Sequence, residues 1–128
     1  MSTNGASPLV CVVDDDLLVR ESVEGLLREE GFPVDAFESA ESFLGRPPRE
    51  PPACLIVDLV LPGMSGLELQ ARLNAEHIRI PIIFMTAHSD ERIRMQALRS
   101  GAVEFLAKPF DDDVFLETVR VALKSGAK

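Results

Sequence analysis

With 128 residues, 46% of them apolar, the chain has enough hydrophobic mass for one compact domain and little room for a second. Thirteen basic residues against twenty-one acidic ones give a net charge of −8. That balance repels phosphate backbones, disfavours direct nucleic-acid binding by this domain, and suits a site for a divalent cation. Met1 to Pro8 are mostly small and polar, without the basic start and apolar run of a signal peptide, and no apolar stretch approaches the roughly 18–20 residues that span a bilayer. The chain therefore reads as a cytoplasmic protein with a flexible N-terminus over residues 1–8.

Leu9-Val10-Cys11-Val12-Val13 is a β-branched apolar run that stops at three aspartates, the pattern of a strand buried on both faces. From Asp16 the period changes to that of a helix. Leu18, Ser22, Gly25 and Leu26 share one face, Val19, Val23 and Leu27 lie beside it, and Gly31 is the stop. Pro33 to Phe37 reads as a short strand, and Ser39 caps a brief helix through Leu44. Four prolines between Arg46 and Pro52 predict an irregular loop. Cys54 to Val57 is the next buried strand, ending at Asp58. A turn over Leu61 to Gly66 then leads into a helix from about Leu67 to Ala75. Pro81 to Met85 is an apolar strand ending at Thr86, followed by a helix over Asp90 to Ser100 that Gly101 stops. Val103 to Ala107 is the last strand, ending at Lys108-Pro109. The last helix runs from Asp111 to Lys124 and buries Phe115, Leu116, Val119, Ala122 and Leu123. Five strand–helix units in strict alternation, with all-apolar strands, predict an α/β fold: a doubly wound parallel sheet covered on both faces.

Cys11 and Cys54 each lie inside an apolar run, four residues before Asp15 and Asp58. Neighbouring parallel strands would bring the two sulfurs close together, and the pair reads as buried, reduced thiols acting as small hydrophobes.

The chemistry lies just beyond each strand. Strand 1 ends in Asp14-Asp15-Asp16, strand 3 in Asp58, strand 4 in Thr86 and strand 5 in Lys108. Helical crossovers return the chain to the same edge each time, so these residues converge beyond the carboxyl ends of the strands. Clustered carboxylates repel one another unless a cation neutralises them, and hard oxygen ligands favour Mg²⁺. A metal-flanked carboxylate can attack phosphorus, while a lysine and a hydroxyl beside it stabilise the transferred group. Asp16 alone is better read as the cap of the first helix.

The runs Val-Val-Asp14-Asp15-Asp16, Ile-Val-Asp58-Leu-Val-Leu-Pro62-Gly-Met-Ser-Gly66, Met-Thr86-Ala and Leu-Ala-Lys108-Pro109-Phe stand in this order. Through them the chain resembles a response-regulator receiver domain of two-component systems over about Leu9 to Lys124, with the last three runs similar to the FixJ-like class. The resemblance implies a flavodoxin-like, CheY-like (βα)5 sheet of strand order 2-1-3-4-5. It implies Asp58 as phosphoacceptor for a sensor histidine kinase. Mg²⁺, with Mn²⁺ as a substitute, is held by Asp15, Asp58 and the Val60 backbone carbonyl, and by Asp14 through a water. Lys108 pairs with Asp58 and then with the phosphoryl group, Thr86 and Phe105 form the switch, and the Lys108–Pro109 peptide is cis. Such a domain is a signalling switch that catalyses only its own phosphorylation and dephosphorylation. In its class a helix-turn-helix output domain that regulates transcription usually comes after the receiver, and residues 125–128 fit a tail or the start of a linker.

Several positions add detail. Val60, two residues after the acceptor, cannot orient an attacking water, and so predicts a long-lived phosphoryl group. His88, two residues after Thr86, either titrates beside the phosphoryl group or sits idle in its loop. Phe105 is either a switch side chain or a permanent core aromatic. Pro62 and one of Gly63 and Gly66 serve as loop scaffolding. Helix 4 carries Arg92, Arg94 and Arg99, whereas helix 5 carries Asp111, Asp112, Asp113 and Glu117. A phosphorylation-dependent two-fold dimer through helix 4, strand 5 and helix 5 would pair these charges twice, although acids in a first helical turn also suit the helix dipole. Three rivals remain. A haloacid-dehalogenase-like phosphatase would use Asp14 and Asp16 but has Leu18 where Thr or Val is usual. A flavodoxin-like electron carrier lacks its phosphate loop here. The third is an interaction module that never takes phosphate.

Overall fold

The computed structural model describes residues 8–46, 51–87 and 90–125. Ten elements alternate without exception: β1 (Val10–Val13), α1 (Leu17–Glu29), β2 (Val34–Phe37), α2 (Ala40–Leu44), β3 (Cys54–Asp58), α3 (Gly66–Ala75), β4 (Ile82–Thr86), α4 (Glu91–Arg99), β5 (Glu104–Ala107) and α5 (Asp112–Ser125). The strands form one parallel sheet in the order β2-β1-β3-β4-β5. The chain thus starts near the middle of the sheet, winds outward to one edge, and crosses back to build the other side. Parallel strands leave both sheet faces to be covered by the crossover helices, which is why β1, β3 and β4 are buried along their whole length.

Alternation along each strand divides the core in two. Val13, Leu55, Val57, Phe84 and Phe105 face one side, where Phe43 of α2, Leu69 and Leu73 of α3, and Ala97 of α4 cover them. Val10, Val12, Ile56, Ile83 and Met85 face the other, under Val23 and Leu27 of α1 and Phe115, Leu116, Val119 and Ala122 of α5. Local chemistry starts the helices where the sequence predicts. Asp16, Ser39, Ser65 and Asp90 each cap a helix by accepting backbone N–H groups, and Ser65 with Glu68 completes a capping box. Gly31 and Gly101 take positive φ just past the ends of α1 and α4.

Of the two adjacent apolar stripes on α1, the buried one is Val23 and Leu27, flanked by Val19 and Leu26, while Leu18 is 76% exposed. One expectation is corrected. The cysteines are on neighbouring strands but on opposite faces. The β1–β3 register pairs Cys11 with Leu55 and Val10 with Cys54, so Cys11 joins the core under α2–α4 and Cys54 the core under α1 and α5. Both are buried free thiols. The predicted proline loop falls largely on residues 47–50, which lie outside the described residues, as do His88, the first seven residues and the last three.

Candidate functional site

Four strand ends build the site. Asp58 is the last residue of β3 and Thr86 the last of β4, while Asp14 and Lys108 come one residue after β1 and β5. The ladder runs past the strands proper: Leu59 N–H donates to the Met85 carbonyl (2.8 Å) and Lys108 N–H to the Thr86 carbonyl (2.7 Å). These bonds fix the height of Asp58 and Lys108 against β4. Gly66 opens α3 close beneath, where a Cβ would meet the Asp58 carbonyl oxygen at 2.7 Å and the Phe84 ring at 3.0 Å. Any larger residue would push α3 off the strand end.

The carboxylates of Asp14, Asp15 and Asp58 each place an oxygen within 4.8 Å of the other two. Asp14 is fully buried and Asp58 is 8% exposed, whereas Asp15 is exposed. Lys108 Nζ donates to both buried acids, to Asp14 Oδ2 at 3.0 Å and to Asp58 Oδ2 at 2.8 Å. The remaining oxygens are turned by local backbone: Asp16 N–H donates to Asp14 Oδ1 and Val60 N–H to Asp58 Oδ1, both at 2.9 Å. Burial pushes the Asp58 carboxyl above its ordinary pKa, against the Lys108 and Val60 hydrogen bonds that favour its charged form. Burial also works against the Lys108 ammonium, but its bonds to Asp58 and Asp14 outweigh this and hold it above the lysine range. One ammonium against three carboxylates leaves negative charge uncompensated. An all-oxygen donor set of this kind suits a hard divalent cation such as Mg²⁺.

The predicted site residues Asp14, Asp15, Asp58 and Lys108 are brought together, with fully buried Thr86 at the adjoining strand end. The Lys108–Pro109 peptide is cis. Phe105 pairs with Phe84 across β4–β5 and points into the core, 8% exposed, with the two rings 6.4 Å apart. Val60 is 60% exposed at the rim. Asp16 lies outside the carboxylate cluster, its side chain spent on the N–H groups of Leu18 and Val19, which removes the Asp14–Asp16 pair a phosphatase of the rival class would need.

Sequence reasoning passed over two residues. Arg20 Nη1 donates to the Asp14 carbonyl at 2.6 Å, so α1 reaches back to hold the turn carrying the acids. Glu41 of α2 accepts the Met64 N–H at 2.8 Å, across 23 residues of chain. An arginine one turn into α1 was a legible signal for the first. The second was masked, because an acid in the first turn of a helix is ordinary.

A family model described as the response regulator receiver domain matches residues 10–120. Nodulation protein W of Bradyrhizobium diazoefficiens is 42% identical over 94% of this chain and 53% of its own length. The transcriptional regulatory protein FixJ of the same organism is 37% identical over 97% of the chain and 59% of its own. Response regulator protein TodT of Pseudomonas putida is 40% identical, over 91% and 51%. The chain therefore spans about half the length of the curated relatives it matches. Among solved structures, the response regulator StyR superposes with a TM-score of 0.88 at 45% identity, covering 95% of this chain and 62% of that one. The FixJ-N structure superposes with 0.84 at 39% identity, covering 92% and 94%. Sheet order, the acids at the strand ends and these matches agree: the chain belongs to the response regulator receiver domain family of two-component systems.

Proposed function

We propose that Asp58 accepts a phosphoryl group from a sensor histidine kinase. The observation that carries the reading is the bridging of Asp58 and Asp14 by one lysine at a site with a third carboxylate in reach. Asp15, Asp58 and the Val60 backbone carbonyl would hold Mg²⁺ directly and Asp14 through a water, with Mn²⁺ able to replace it. When bound, the ion neutralises charge on the transferred group and on the attacking carboxylate. Asp58 contributes the attacking oxygen: its bond to phosphorus forms as the phosphorus–nitrogen bond of the donor histidine breaks, and the imidazole leaves with the electron pair and takes up a proton. Lys108 moves its contact from the Asp58 carboxylate to a phosphoryl oxygen. The Thr86 hydroxyl donates to another, and Phe105 acts with it as the second switch residue by an inward turn; in this structure its ring already packs against Phe84.

A groove of about 500 Å³ opens beside Lys108, lined by Leu18, Val19, Leu26, Pro109 and Phe110. Exposed apolar surface beside Lys108, the partner of the acceptor Asp58, suits the phosphodonor domain of the kinase. Leu18→Asp should slow transfer from the cognate kinase while leaving labelling by acetyl phosphate intact. The output is proposed to be transcription, through a DNA-binding domain beyond this domain, since the curated relatives are about twice as long and two of them are regulators by name. A phosphorylation-dependent homodimer would use α4, β5 and α5. Arg92 and Arg99 are exposed on α4 and Asp112, Asp113 and Glu117 on α5, although Arg94 is engaged by Glu91 at 3.3 Å. Sedimentation with and without beryllofluoride tests it; a monomer in both ends the idea.

The direct test of the acceptor is incubation with acetyl phosphate and Mg²⁺. Acid-labile, alkali-labile phosphate should form stoichiometrically and disappear in Asp58→Asn. Catalytic turnover of a small phosphate ester, or undiminished labelling of that variant, would refute the assignment.

A further inference from the structure

Asp58 and Gly66 are joined by a loop whose backbone must stay in place if the Val60 carbonyl is to serve a metal. Within the loop, Val60 N–H is tied to Asp58 Oδ1, the Leu61 side chain is buried, and Gly66 N–H returns to the Leu59 carbonyl at 3.0 Å. Between these ties lie Pro62, Gly63 and Met64. Glu41, from a different helix, holds that stretch: its Oε2 accepts the Met64 N–H at 2.8 Å. Gly63 makes the approach possible. Its φ of +75° turns the Met64 N–H toward α2, and a Cβ there would lie 2.6 Å from the same Oε2. The Met64 N–H holds the Glu41 carboxyl below the usual carboxylate range, as a charge-assisted bond should. Among the described residues, Glu41 is the side chain from outside the loop and α3 whose hydrogen bond reaches this loop.

We infer that Glu41 is a positioning residue for the acceptor site: by clamping the Gly63–Met64 turn onto α2, it holds the Val60 carbonyl where the metal needs it. The inference rests on the reading of Asp58 as a metal-assisted acceptor. It extends that reading to a helix that contributes no ligand. A carboxylate that fixes a ligand's backbone acts as outer-shell partners do elsewhere, by removing the freedom the ligand would otherwise lose on binding. A loop containing a glycine at positive φ has more of that freedom to lose.

The test compares wild type, Glu41→Ala and Glu41→Gln by two readouts at a temperature where circular dichroism shows all three folded. One is the exchange rate of the Met64 and neighbouring loop amides in metal-free protein. The other is the affinity for Mn²⁺, monitored by its paramagnetic resonance signal. In Glu41→Ala the loop amides should exchange faster while those of β1 do not, and Mn²⁺ should bind roughly three- to ten-fold more weakly. Glu41→Gln keeps an acceptor oxygen and should recover most of both losses. Unchanged loop exchange overturns the clamp. Faster exchange with unchanged Mn²⁺ affinity overturns the positioning role and leaves Asp58 untouched. Wild-type protein that binds Mn²⁺ no better than Asp15→Asn overturns the acceptor reading, and the positioning role with it.

Discussion

Cys54 and Asp58 stand at the two ends of one strand, four residues apart, and both are ionisable groups under the same sheet. At the amino end both influences on Cys54 oppose its charge. Burial among apolar side chains, with the Cys11 thiol on the neighbouring strand adding a smaller push, raises the Cys54 pKa to about 12. At the carboxyl end Asp58 is also buried, yet Lys108 and the Val60 N–H converge on its two oxygens. Burial works against the charged form at both ends; only at the carboxyl end do a cation and a hydrogen-bond donor oppose it. The carboxyl end supplies those partners because the polar residues that follow β1 and β5 converge there, whereas the amino end of β3 lies among apolar side chains.

The largest effect is expected at Lys108. In Lys108→Met the buried acids Asp14 and Asp58 face each other without their cation, which should cost about 2–4 kcal/mol in metal-free protein. Because the loss is one of charge, Mg²⁺ should restore most of it, and urea unfolding with and without the ion reads both effects. A midpoint that falls equally in either condition would mean the lysine is held for packing.

A smaller effect is expected at the amino end, in alkali. The folded protein keeps the Cys54 proton up to about 12, while the unfolded chain releases it near 9.0. Since the folded pKa is the higher, this thiol's contribution to stability is complete below 9.0 and is lost as pH rises through about 12. The alkaline fall in melting temperature should be shallower in Cys54→Ala, which itself costs about 1 kcal/mol at neutral pH. At neutral pH wild-type Cys54 should react with a thiol reagent only after unfolding. Prompt reaction in the folded state would contradict the contrast.

The smallest effect is expected at Val60, exposed at the rim and unable to direct a water. Val60→Asn should hasten dephosphorylation several-fold in a single-turnover assay, with urea stability changed by less than about 0.5 kcal/mol. An unchanged rate would show that this position does not set the lifetime of the phosphoryl group.

Much of this was legible before any coordinates. The strands announced themselves because a strand buried on both faces must be apolar throughout, and the site because polar residues could appear only where those runs stop. Asp14, Asp15, Asp58, Thr86 and Lys108 were therefore named by position alone. Three things were not legible. Leu18 sits in one of two adjacent apolar stripes on α1, and only the packing of that helix against the sheet and α5 selects Val23 and Leu27. The separation of the cysteines depends on the one-residue register between β1 and β3, which no local pattern encodes. Glu41 joins elements 23 residues apart, and its helix-dipole role was a sufficient reason for an acid at that place.

The central claim is that the Asp58 carboxylate at the end of β3 takes the phosphoryl group. Reduction of acetyl phosphate-treated protein with borohydride, and then peptide sequencing, tests it most directly, because an aspartyl phosphate is reduced to homoserine. The account predicts homoserine at position 58, abundant with Mg²⁺ and absent when the metal is chelated. Homoserine at Asp14 or Asp15 instead, or equal conversion without the metal, would contradict it.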